Sequence, residues 1–153
     1  MKQLDNIDRQ ILHLLQLNAK ATIKEIATEM GMTTTPVYER IKRMEEAGYI
    51  RNYVALLDKS LLGLGLVVFC KTSLKDHSAE ALQNFEAEVK TLKPVLECYH
   101  IAGNFDYLLK IVLPDMDAYH QFMTEQLTGL PNIKKVQSSF VMSEVKHATQ
   151  LHF

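Results

Sequence analysis

The stretch TIKEIATEMGMTTTPVYERIKRMEEAGYI, residues 22–50, predicts two short helices separated by a tight glycine turn. The first helix begins with a capping box, because Thr22 and Glu25 are spaced so that each side chain can bond the other residue's unpaired backbone N–H group. Gly31 permits the left-handed conformation that ends such a helix. Pro36 suits the first turn of the second helix, where a missing N–H group removes no hydrogen bond. The two helices therefore follow each other closely.

A further helix is predicted upstream of this pair, over residues 6–17, with Asp5 placed to cap it. Apolar residues recur at helical spacing in all three helices, which indicates that each has one buried face. The third helix has Thr33 or Thr35 as its cap and ends before Gly48. Three short helices with a tight turn between the second and the third are typical of a helix-turn-helix.

The third helix leaves a polar face exposed, opposite the apolar stripe of Val37, Ile41 and Met44. Arginine and lysine side chains donate to guanine or to phosphates, and threonine and tyrosine hydroxyls reach phosphates or base edges. The free N–H groups of a helix N-terminus also bind phosphate. We therefore predict contact with the major groove of DNA. The candidate DNA-binding residues are Thr33, Thr34, Thr35, Tyr38, Glu39, Arg40, Lys42 and Arg43.

The three-helix pattern does not by itself exclude other functions. A solvated helix face, a tandem winged helix and a protein-docking module would look similar at this level. The formal net charge of the chain is −1, so any contact with DNA must rely on a local cluster of positive charge. The same near-neutral charge speaks against an architectural protein that binds DNA with little sequence preference, since nonspecific affinity increases with the number of phosphates neutralised.

The rest of the chain predicts the order strand, helix, strand, strand, helix, strand, after a connecting strand at residues 50–58. The short connection at residues 103–106 favours an antiparallel return between the two middle strands. Two split βαβ units in this order build a ferredoxin-like sandwich, so the predicted fold class is α+β. The predicted elements cover residues 66–74, 78–92, 95–101, 107–113, 115–128 and 133–146.

We expect a helix-turn-helix domain at residues 1–50, a linker strand at 51–63 and a ferredoxin-like domain at 64–153. In a ferredoxin-like sandwich, helices cover only one face of the four-stranded sheet. The strands here are apolar on both faces, as in the unbroken run Leu66–Phe69 and in residues 108–112. An uncovered apolar sheet face implies association, so we predict a homodimer that forms through this domain.

Enzymatic and metal chemistry finds little support in the sequence. No P-loop, GxGxxG motif or Ser/His/Asp order is present, so we predict no enzyme, no catalytic residue and no cofactor. Cys98 and His100 are two metal-ligand types on one strand face, but no second pair has ligand spacing, and we predict no metal. Cys70 and Cys98 lie in apolar runs and are expected to be buried free thiols.

No segment of the sequence predicts a membrane protein. The longest apolar run, Leu61–Cys70, is ten residues long and contains two glycines, which is too short to span a bilayer. The N-terminal stretch MKQLDNIDRQ is charged and lacks the apolar core of a signal peptide. We expect a soluble protein without membrane partners, located in the cytoplasm and associated with the nucleoid.

Four stretches of the sequence together resemble one family. They are LDNIDRQILHLLQLNAKATIKEIA, TPVYERIKRMEEAGYIRNYVALLD, the loop GNFDYLL and the tail SSFVMSEVKH. In this order they are similar, over essentially the whole chain, to the leucine-responsive and asparagine-regulator (Lrp/AsnC) transcription regulators. The resemblance implies that the helix-turn-helix reads operator DNA. It also implies that the ferredoxin-like domain pairs chains into dimers, which often assemble further into octamers.

The resemblance further implies a small effector, usually an amino acid, bound near the glycine-containing loop where dimers meet. Carried over to this chain, the effector-binding residues are Gly103, Asn104, Phe105, Asp106, Tyr107, Ser138 and Ser139. Backbone N–H groups near Gly103 can hold a carboxylate, the Asp106 carboxylate can meet an ammonium group, and the serine hydroxyls can complete the site. Gly103 and Asn104 are also ordinary turn residues, so a simple tight hairpin is compatible with the same loop.

Overall fold

A computed structural model describes residues 3–153, which form two compact units. The first unit runs to Leu56 and also contains the C-terminal residues Lys146–Phe153. The second unit is Leu57–Val145. The C-terminal residues therefore lie with the helix-turn-helix residues, whereas the sequence placed them at the end of the following domain. Among the described residues, no helix is long and apolar enough to cross a membrane.

The first unit contains three helices, α1 (Asn6–Leu17), α2 (Ile23–Glu29) and α3 (Thr34–Glu46). Each helix buries one apolar face against the other two, which is the helix-turn-helix arrangement predicted from the spacing of apolar residues. The buried residues of this core are Ile11, Ile26, Ala27, Val37, Ile41 and Met44.

Local capping determines where the first two helices begin and where the second ends. Both α1 and α2 start with a capping box, formed by Asp5 with Asp8 and by Thr22 with Glu25. These reciprocal bonds satisfy N–H groups that have no partner within the helix. Gly31 follows α2 with φ 62°, in the left-handed region that glycine adopts without strain. The predicted turn chemistry is therefore confirmed.

The connecting segment after α3 is not a strand, contrary to the prediction for residues 50–58. A strand needs a neighbour to which its N–H and C=O groups can bond, and the order of apolar residues does not show whether one is present. Within the described chain, no strand pairs with this segment. Tyr53, Val54 and Leu56 are exposed along it.

The second unit is a four-stranded antiparallel sheet with helices packed on one face, the ferredoxin-like arrangement expected from the sequence. The strand order across the sheet is β2-β3-β1-β4, so β1 and β3 are the central strands. They pair from Leu66 opposite Leu113 to Thr72 opposite Tyr107. The elements are β1 (Leu66–Leu74), α4 (Ala79–Val89), β2 (Val95–His100), β3 (Tyr107–Leu113), α5 (Met116–Phe122), a π-helical turn (Met123–Leu127) and β4 (Ile133–Phe140).

Three elements of this unit are shorter than predicted by more than one residue. The last strand ends at Phe140 rather than at residue 146, because Phe140 pairs with Val68 and β1 extends only two residues further in that direction. The second helix is α-helical only to Phe122, where the π-helical turn takes over. The first helix of the unit, α4, ends three residues before its predicted end at residue 92.

The two faces of the sheet differ in what covers them. Successive residues of a strand point to opposite faces. In β1, Val68, Cys70 and Leu74 pack under the helices, so Val67 and Phe69 lie on the other face. This face, which no helix covers and which we call the uncovered face, mixes apolar and charged side chains from the central strands. Its members are Val67, Phe69, Lys71, Leu108, Lys110 and Val112. Two of these members, Val67 and Val112, are nevertheless buried within the chain.

Candidate nucleic-acid interface and ligand site

The face of α3 opposite its core stripe is polar and open to solvent. The burial of Val37, Ile41 and Met44 turns this face outward. Arg40 and Arg43 are only partly exposed. The other six predicted DNA-binding residues are exposed, namely Thr33, Thr34, Thr35, Tyr38, Glu39 and Lys42. The structure thus presents most of the predicted set on one accessible element.

Within the described chain, the N-terminus of α3 has backbone donors that no side chain caps. Thr33 occupies the cap position, but its side chain makes no capping hydrogen bond. The first N–H groups of a helix have no partner within the helix, and a capping side chain normally occupies one of them. Thr34 and Thr35 lie in the same first turn of α3 and add side-chain hydroxyls. Free N–H groups at a helix N-terminus are suited to binding a phosphate group.

Two of the predicted DNA-binding arginines are bound to an acidic residue of α1. Asp8 is only 1% exposed. Arg43 Nη2 lies 2.7 Å from Asp8 Oδ1 and 2.6 Å from Oδ2, and Arg40 Nη1 lies 2.7 Å from Oδ1. Arg40 Nη1 also lies 2.6 Å from Asp5 Oδ2. The hydrogen bonds to Asp5 and Asp8 raise the pKa of the Arg40 guanidinium further above its usual value.

These ion pairs tie α1 to α3. Each guanidinium group carries five N–H donors, so Arg40 and Arg43 keep donors beyond those that face Asp8. Lys42 makes only a loose i,i+4 pair with Glu46, at 4.0 Å, and its side chain is 58% exposed. Lys42 is therefore the most accessible of the three cationic side chains that α3 contributes to the predicted interface.

The loop between β2 and β3 is held in place by Asp106. Its Oδ2 accepts a hydrogen bond from the Leu74 N–H at 2.7 Å, and its Oδ1 lies 3.0 Å from His77 Nε2. The bond from the Leu74 N–H lowers the pKa of Asp106. Burial acts in the opposite direction, and His77 adds to the lowering. Gly103 has φ 130°, a backbone conformation that glycine adopts readily and that residues with a side chain rarely adopt. Because of its contacts with Leu74 and His77, part of the hydrogen-bonding capacity of the Asp106 carboxylate is already used within the chain.

Phe105 lies near two ammonium groups that are not among the predicted effector-binding residues. The Nζ atoms of Lys71 and Lys135 are 5.9 Å and 5.4 Å from the centroid of its ring. Lys71 belongs to β1 and Lys135 to β4, so the two become neighbours of the loop only through the strand order. No local motif marks them in the sequence. They place positive charge beside the predicted effector loop.

Tyr107 supports the loop from within the second unit. It is 1% exposed, and its hydroxyl donates to Glu86 Oε1 at 3.0 Å. Its ring stacks on His100 at a centroid distance of 4.7 Å. Burial, followed by the bond to Glu86, raises the pKa of the tyrosine hydroxyl, which keeps it protonated. Tyr107 also lines a cavity of about 470 Å³ between α4 and β2, where Cys98 is found.

Ser138 and Ser139 face opposite sides of the sheet. The hydroxyl of Ser138 accepts from Tyr119 Oη at 2.5 Å and lies 3.2 Å from Cys70 Sγ, on the helix side. Ser139 is exposed and pairs with Phe69 on the uncovered side. Because residues of a strand alternate, the two hydroxyls cannot face one ligand from the same side. The structure brings only one of them to each face.

The cysteines and histidines form no metal centre among the described residues, which contain no group of three or more His, Cys, Asp or Glu placed to hold an ion. Cys70 is buried, as predicted, but Cys98 is exposed, contrary to the prediction. The reason is the strand order, because β2 is an edge strand and has a neighbour on one side only. An apolar run does not show which strand lies at the edge.

Comparison with protein families places both units. Residues 4–51 match a winged helix-turn-helix DNA-binding domain, and residues 67–151 match the Lrp/AsnC ligand binding domain. Over 150 residues the chain is 38% identical to the leucine-responsive regulatory protein of Salmonella typhimurium, which covers 98% of this chain and 92% of the relative. The protein of the same name from Escherichia coli K12 is 37% identical over the same shares.

Solved structures with the same architecture are also similar along nearly the whole chain. A transcriptional regulator from Neisseria meningitidis in complex with L-Met aligns with a TM-score of 0.93 and 35% identity, covering 98% of this chain and 97% of that one. An AsnC family transcriptional regulator from Agrobacterium tumefaciens aligns with a TM-score of 0.92 and 37% identity, covering 97% of each chain.

Proposed function

Because the chain belongs to the Lrp/AsnC family, we propose that α3 reads operator DNA and that an amino acid bound at the Gly103–Tyr107 loop changes assembly or DNA affinity. The protein is an Lrp-like DNA-binding transcription regulator with an amino-acid-binding domain. Its relatives are regulators, which confirms the prediction that it is not an enzyme. The observation that carries the DNA-reading proposal is the exposed polar face of α3, together with an N-terminus that no side chain of the described residues caps.

In the proposed complex, the N-terminal N–H groups of α3 and the hydroxyls of Thr34 and Thr35 hold a phosphate, which fixes the helix on the groove. Tyr38 and Lys42 then reach base edges or the facing strand. Arg40 and Arg43 act first through Asp8, by orienting α3, and use their remaining donors on phosphates. This division of roles follows from the short distances between the guanidinium groups and Asp8.

For the effector, the loop offers backbone donors and nearby positive charge. Among the described residues, no hydrogen bond occupies the N–H groups of residues 103–105. These groups and the ammonium groups of Lys71 and Lys135 suit a carboxylate. Asp106 keeps unused acceptor capacity on the oxygen that faces His77, which suits the ammonium group of the same ligand. We propose an apolar amino acid, such as methionine or leucine, since a relative's structure contains L-Met.

The DNA-reading proposal is tested by selecting bound duplexes from a random pool and measuring the affinity of the purified protein for the selected sequence. We expect a ratio of about 10³ or more between selected and random duplexes. Lys42→Ala should weaken binding to the selected duplex by about tenfold. Lys20→Ala, an exposed lysine of the same unit outside α3, is the matched control. Equal affinity for selected and random duplexes would show that α3 does not read sequence.

The effector proposal is tested by a thermal-shift screen against the twenty amino acids. A ligand at a hundredfold its Kd adds about 2.7 kcal/mol to stability, which is readily detected. We expect a shift with one or more apolar amino acids, and its loss in Gly103→Trp. Lys71→Ala and Lys135→Ala should each weaken the shift, whereas Lys93→Ala, an exposed lysine outside this cluster, should not. A flat response to every amino acid would contradict amino-acid sensing.

The remaining proposals concern organisation. We assign DNA binding to residues 1–50 and effector binding to residues 64–145, joined by 51–63, whereas residues 146–153 belong to the first unit. We further propose a homodimer formed through the uncovered sheet face, which assembles to an octamer and works on nucleoid DNA in the cytoplasm. A dimer presents two copies of α3 to successive major grooves, so its operators should be roughly palindromic. Ser138 is proposed to respond to the effector through Tyr119 rather than by direct contact.

A further inference from the structure

The last residues of the chain lie along the outer side of α1. Gln16 forms two hydrogen bonds with the backbone of Leu151. Its Nε2 donates to the Leu151 C=O at 3.2 Å, and its Oε1 accepts from the Leu151 N–H at 2.6 Å. The neighbouring Gln150 Nε2 lies 3.1 Å from His13 Nδ1. A side-chain amide that pairs with both the N–H and the C=O of one residue holds the chain in a defined register.

A third contact lies on the same surface of α1, which is formed by Arg9, His13 and Gln16 and which we name the seat. The guanidinium carbon of Arg9 lies 5.8 Å from the centroid of the Phe153 ring, a cation–π distance. Arg9, His13 and Gln16 are four and three residues apart, so they share one face of the helix. The C-terminal residues thus follow α1 over two turns, and we name residues 146–153 the C-terminal strap.

Another part of α1 is bound to the DNA-reading helix. Asp8 holds Arg40 and Arg43 of α3 through three contacts of 2.6–2.7 Å. The helix α1 is therefore attached to the strap by one set of side chains and to α3 by another. A change in the position or order of α1 acts on both attachments.

The strap is also the continuation of the last strand of the second unit. The chain passes between the two units twice, after Leu56 and after Val145. The second passage begins only five residues beyond the end of β4 at Phe140. Strand β4 carries Lys135, which faces Phe105 of the proposed effector loop. The seat on α1 is thus linked by a short covalent path to the strand beside that loop.

The seat is weakly held, which is what a releasable element requires. Leu151 is 72% exposed and Phe153 is 56% exposed, so little apolar area is removed from water. Each exposed hydrogen bond contributes only a small net free energy. Elements held in this way open locally at little cost and are the ones that a ligand can shift.

We propose that the C-terminal strap is a releasable regulatory element that stabilises α1 and, through Asp8, the position of α3. In the seated state the DNA-reading helix is ordered for binding, and release of the strap lowers DNA affinity. The clause on DNA affinity rests on the proposed function. The clause on α1 does not, and it is measured separately.

Hydrogen exchange of the full-length protein tests the seat. We expect the α1 amides to exchange about fivefold faster in Gln16→Ala and in a chain that ends at Val145, with β1 and β3 unchanged. Gln121→Ala is the matched control, because among the described residues the Gln121 side chain bonds Glu125 of its own helical segment and no residue of α1. Unchanged α1 exchange in both variants would overturn the proposal. If the shortened chain does not fold, Gln16→Ala alone decides.

Chemical crosslinking tests whether the strap belongs to the same chain. Cysteines are placed by His13→Cys and Gln150→Cys in a Cys98→Ser background and treated with a short bismaleimide. We expect an intrachain product that migrates as a single chain in denaturing gels. A covalent dimer would overturn the proposal, because the seat would then hold the strap of a second copy. Absence of any product would also overturn it.

DNA binding tests the regulatory clause. We expect Gln16→Ala to bind the selected duplex about fivefold more weakly than the wild type, with Gln121→Ala unchanged. As an effector probe we use 10 mM L-methionine. We expect it to change the hydrogen exchange of the α1 amides in the wild type but not in the chain that ends at Val145. Faster α1 exchange with unchanged DNA affinity would overturn regulation by the strap. Wild-type protein that binds no duplex would instead refute the proposed function, with the α1 result still standing.

Discussion

Asp8 connects α1 to two arginines of α3, the helix proposed to read DNA. Its carboxylate is buried and is shared by Arg40 and Arg43, which the sequence analysis had assigned to DNA. That assignment stays a prediction, and the geometry adds a structural role to it. The partnership was not predictable from the sequence, because the arginines lie more than thirty residues from Asp8 and only the packing of α1 on α3 brings them together.

Asp8→Asn should destabilise the first unit by about 2 kcal/mol, since it leaves two guanidinium groups facing a neutral side chain in a largely buried place. Urea unfolding of the full chain, followed by helical circular dichroism, measures this loss. Asp5→Asn is the control, because Asp5 is half exposed and asparagine caps a helix as well as aspartate does. Equal losses for the two variants would show that the buried ion pairs do not hold α1 to α3.

Substitution of Thr72 is expected to stabilise the protein, whereas substitution of Asp8 is expected to destabilise it. Thr72 is fully buried in β1, and within the described chain its Oγ1 has no hydrogen-bond partner. A buried hydroxyl without a partner costs free energy, so Thr72→Val should stabilise the protein by about 1 kcal/mol and raise Tm by about 3 °C. Thr91→Val is the control, because the Thr91 hydroxyl donates to Glu88 C=O at 2.7 Å and its loss should not stabilise. A lower Tm for Thr72→Val would contradict the assignment.

At the scale of elements, prediction succeeded where local chemistry decides. The Asp5 cap, the Thr22–Glu25 capping box and helical spacing placed α1 and α2, and apolar runs placed β1 and β3 at their observed positions. It failed where a distant partner decides. Residues 50–58 form no strand because nothing in the described chain pairs with them, and β4 stops near the end of β1.

The shortest α-helix of the first unit depends most on its cap. Helix α2 has seven residues, and its capping box joins Thr22 and Glu25 through bonds of 2.6 Å and 3.2 Å. Thr22→Ala should destabilise the protein by about 1 kcal/mol and increase hydrogen exchange within α2. Ser78→Ala at the start of α4 is the comparison, since its single capping bond is longer, at 3.3 Å, and should cost less. A larger loss at Ser78 would argue against this ranking.

The β2–β3 loop should contribute a measurable acid dependence. The bond from the Leu74 N–H, aided by His77, holds the pKa of Asp106 below its ordinary value of 3.8. A carboxyl group with a lowered pKa in the folded chain stabilises it above the unfolded value, and this contribution is lost as pH falls through the folded value. Asp106→Asn should therefore be less stable than the wild type at about pH 7, and the difference should shrink below about pH 4.

Urea unfolding at several pH values measures this difference. Asp117→Asn, an exposed aspartate in the first turn of α5, serves as the control and should give no such convergence. A gap between Asp106→Asn and the wild type that stays constant down to about pH 2 would show that the carboxylate does not stabilise the loop through its charge.

At the scale of the whole molecule, the sequence led to the correct fold class and family but only to part of the candidate site. It named the loop at residues 103–107, since glycine and aspartate mark it directly. It missed Lys71, Lys135 and His77, which approach the loop from other elements and carry no motif. Ligand sites assembled from several strands depend on strand order, which no single stretch of sequence encodes.

The sheet face that no helix covers predicts how the chains associate. This face carries the apolar residues Val67, Phe69, Leu108 and Val112, next to Lys71. Such a face suits self-association, and in a two-fold symmetric interface each residue occurs twice. A charge placed at its centre is therefore buried twice, and the two like charges oppose each other across the interface.

Phe69→Glu should accordingly dissociate the proposed dimer, raising its dissociation constant by about a hundredfold or more. Light scattering coupled to size-exclusion chromatography measures the mass, and Gln137→Glu, an exposed position at the rim of the same face, is the control. Because the two recognition helices then separate, affinity for a duplex with two half-sites should fall to that for one half-site. A variant that remains dimeric and keeps the two-site affinity would show that the chains pair through another surface.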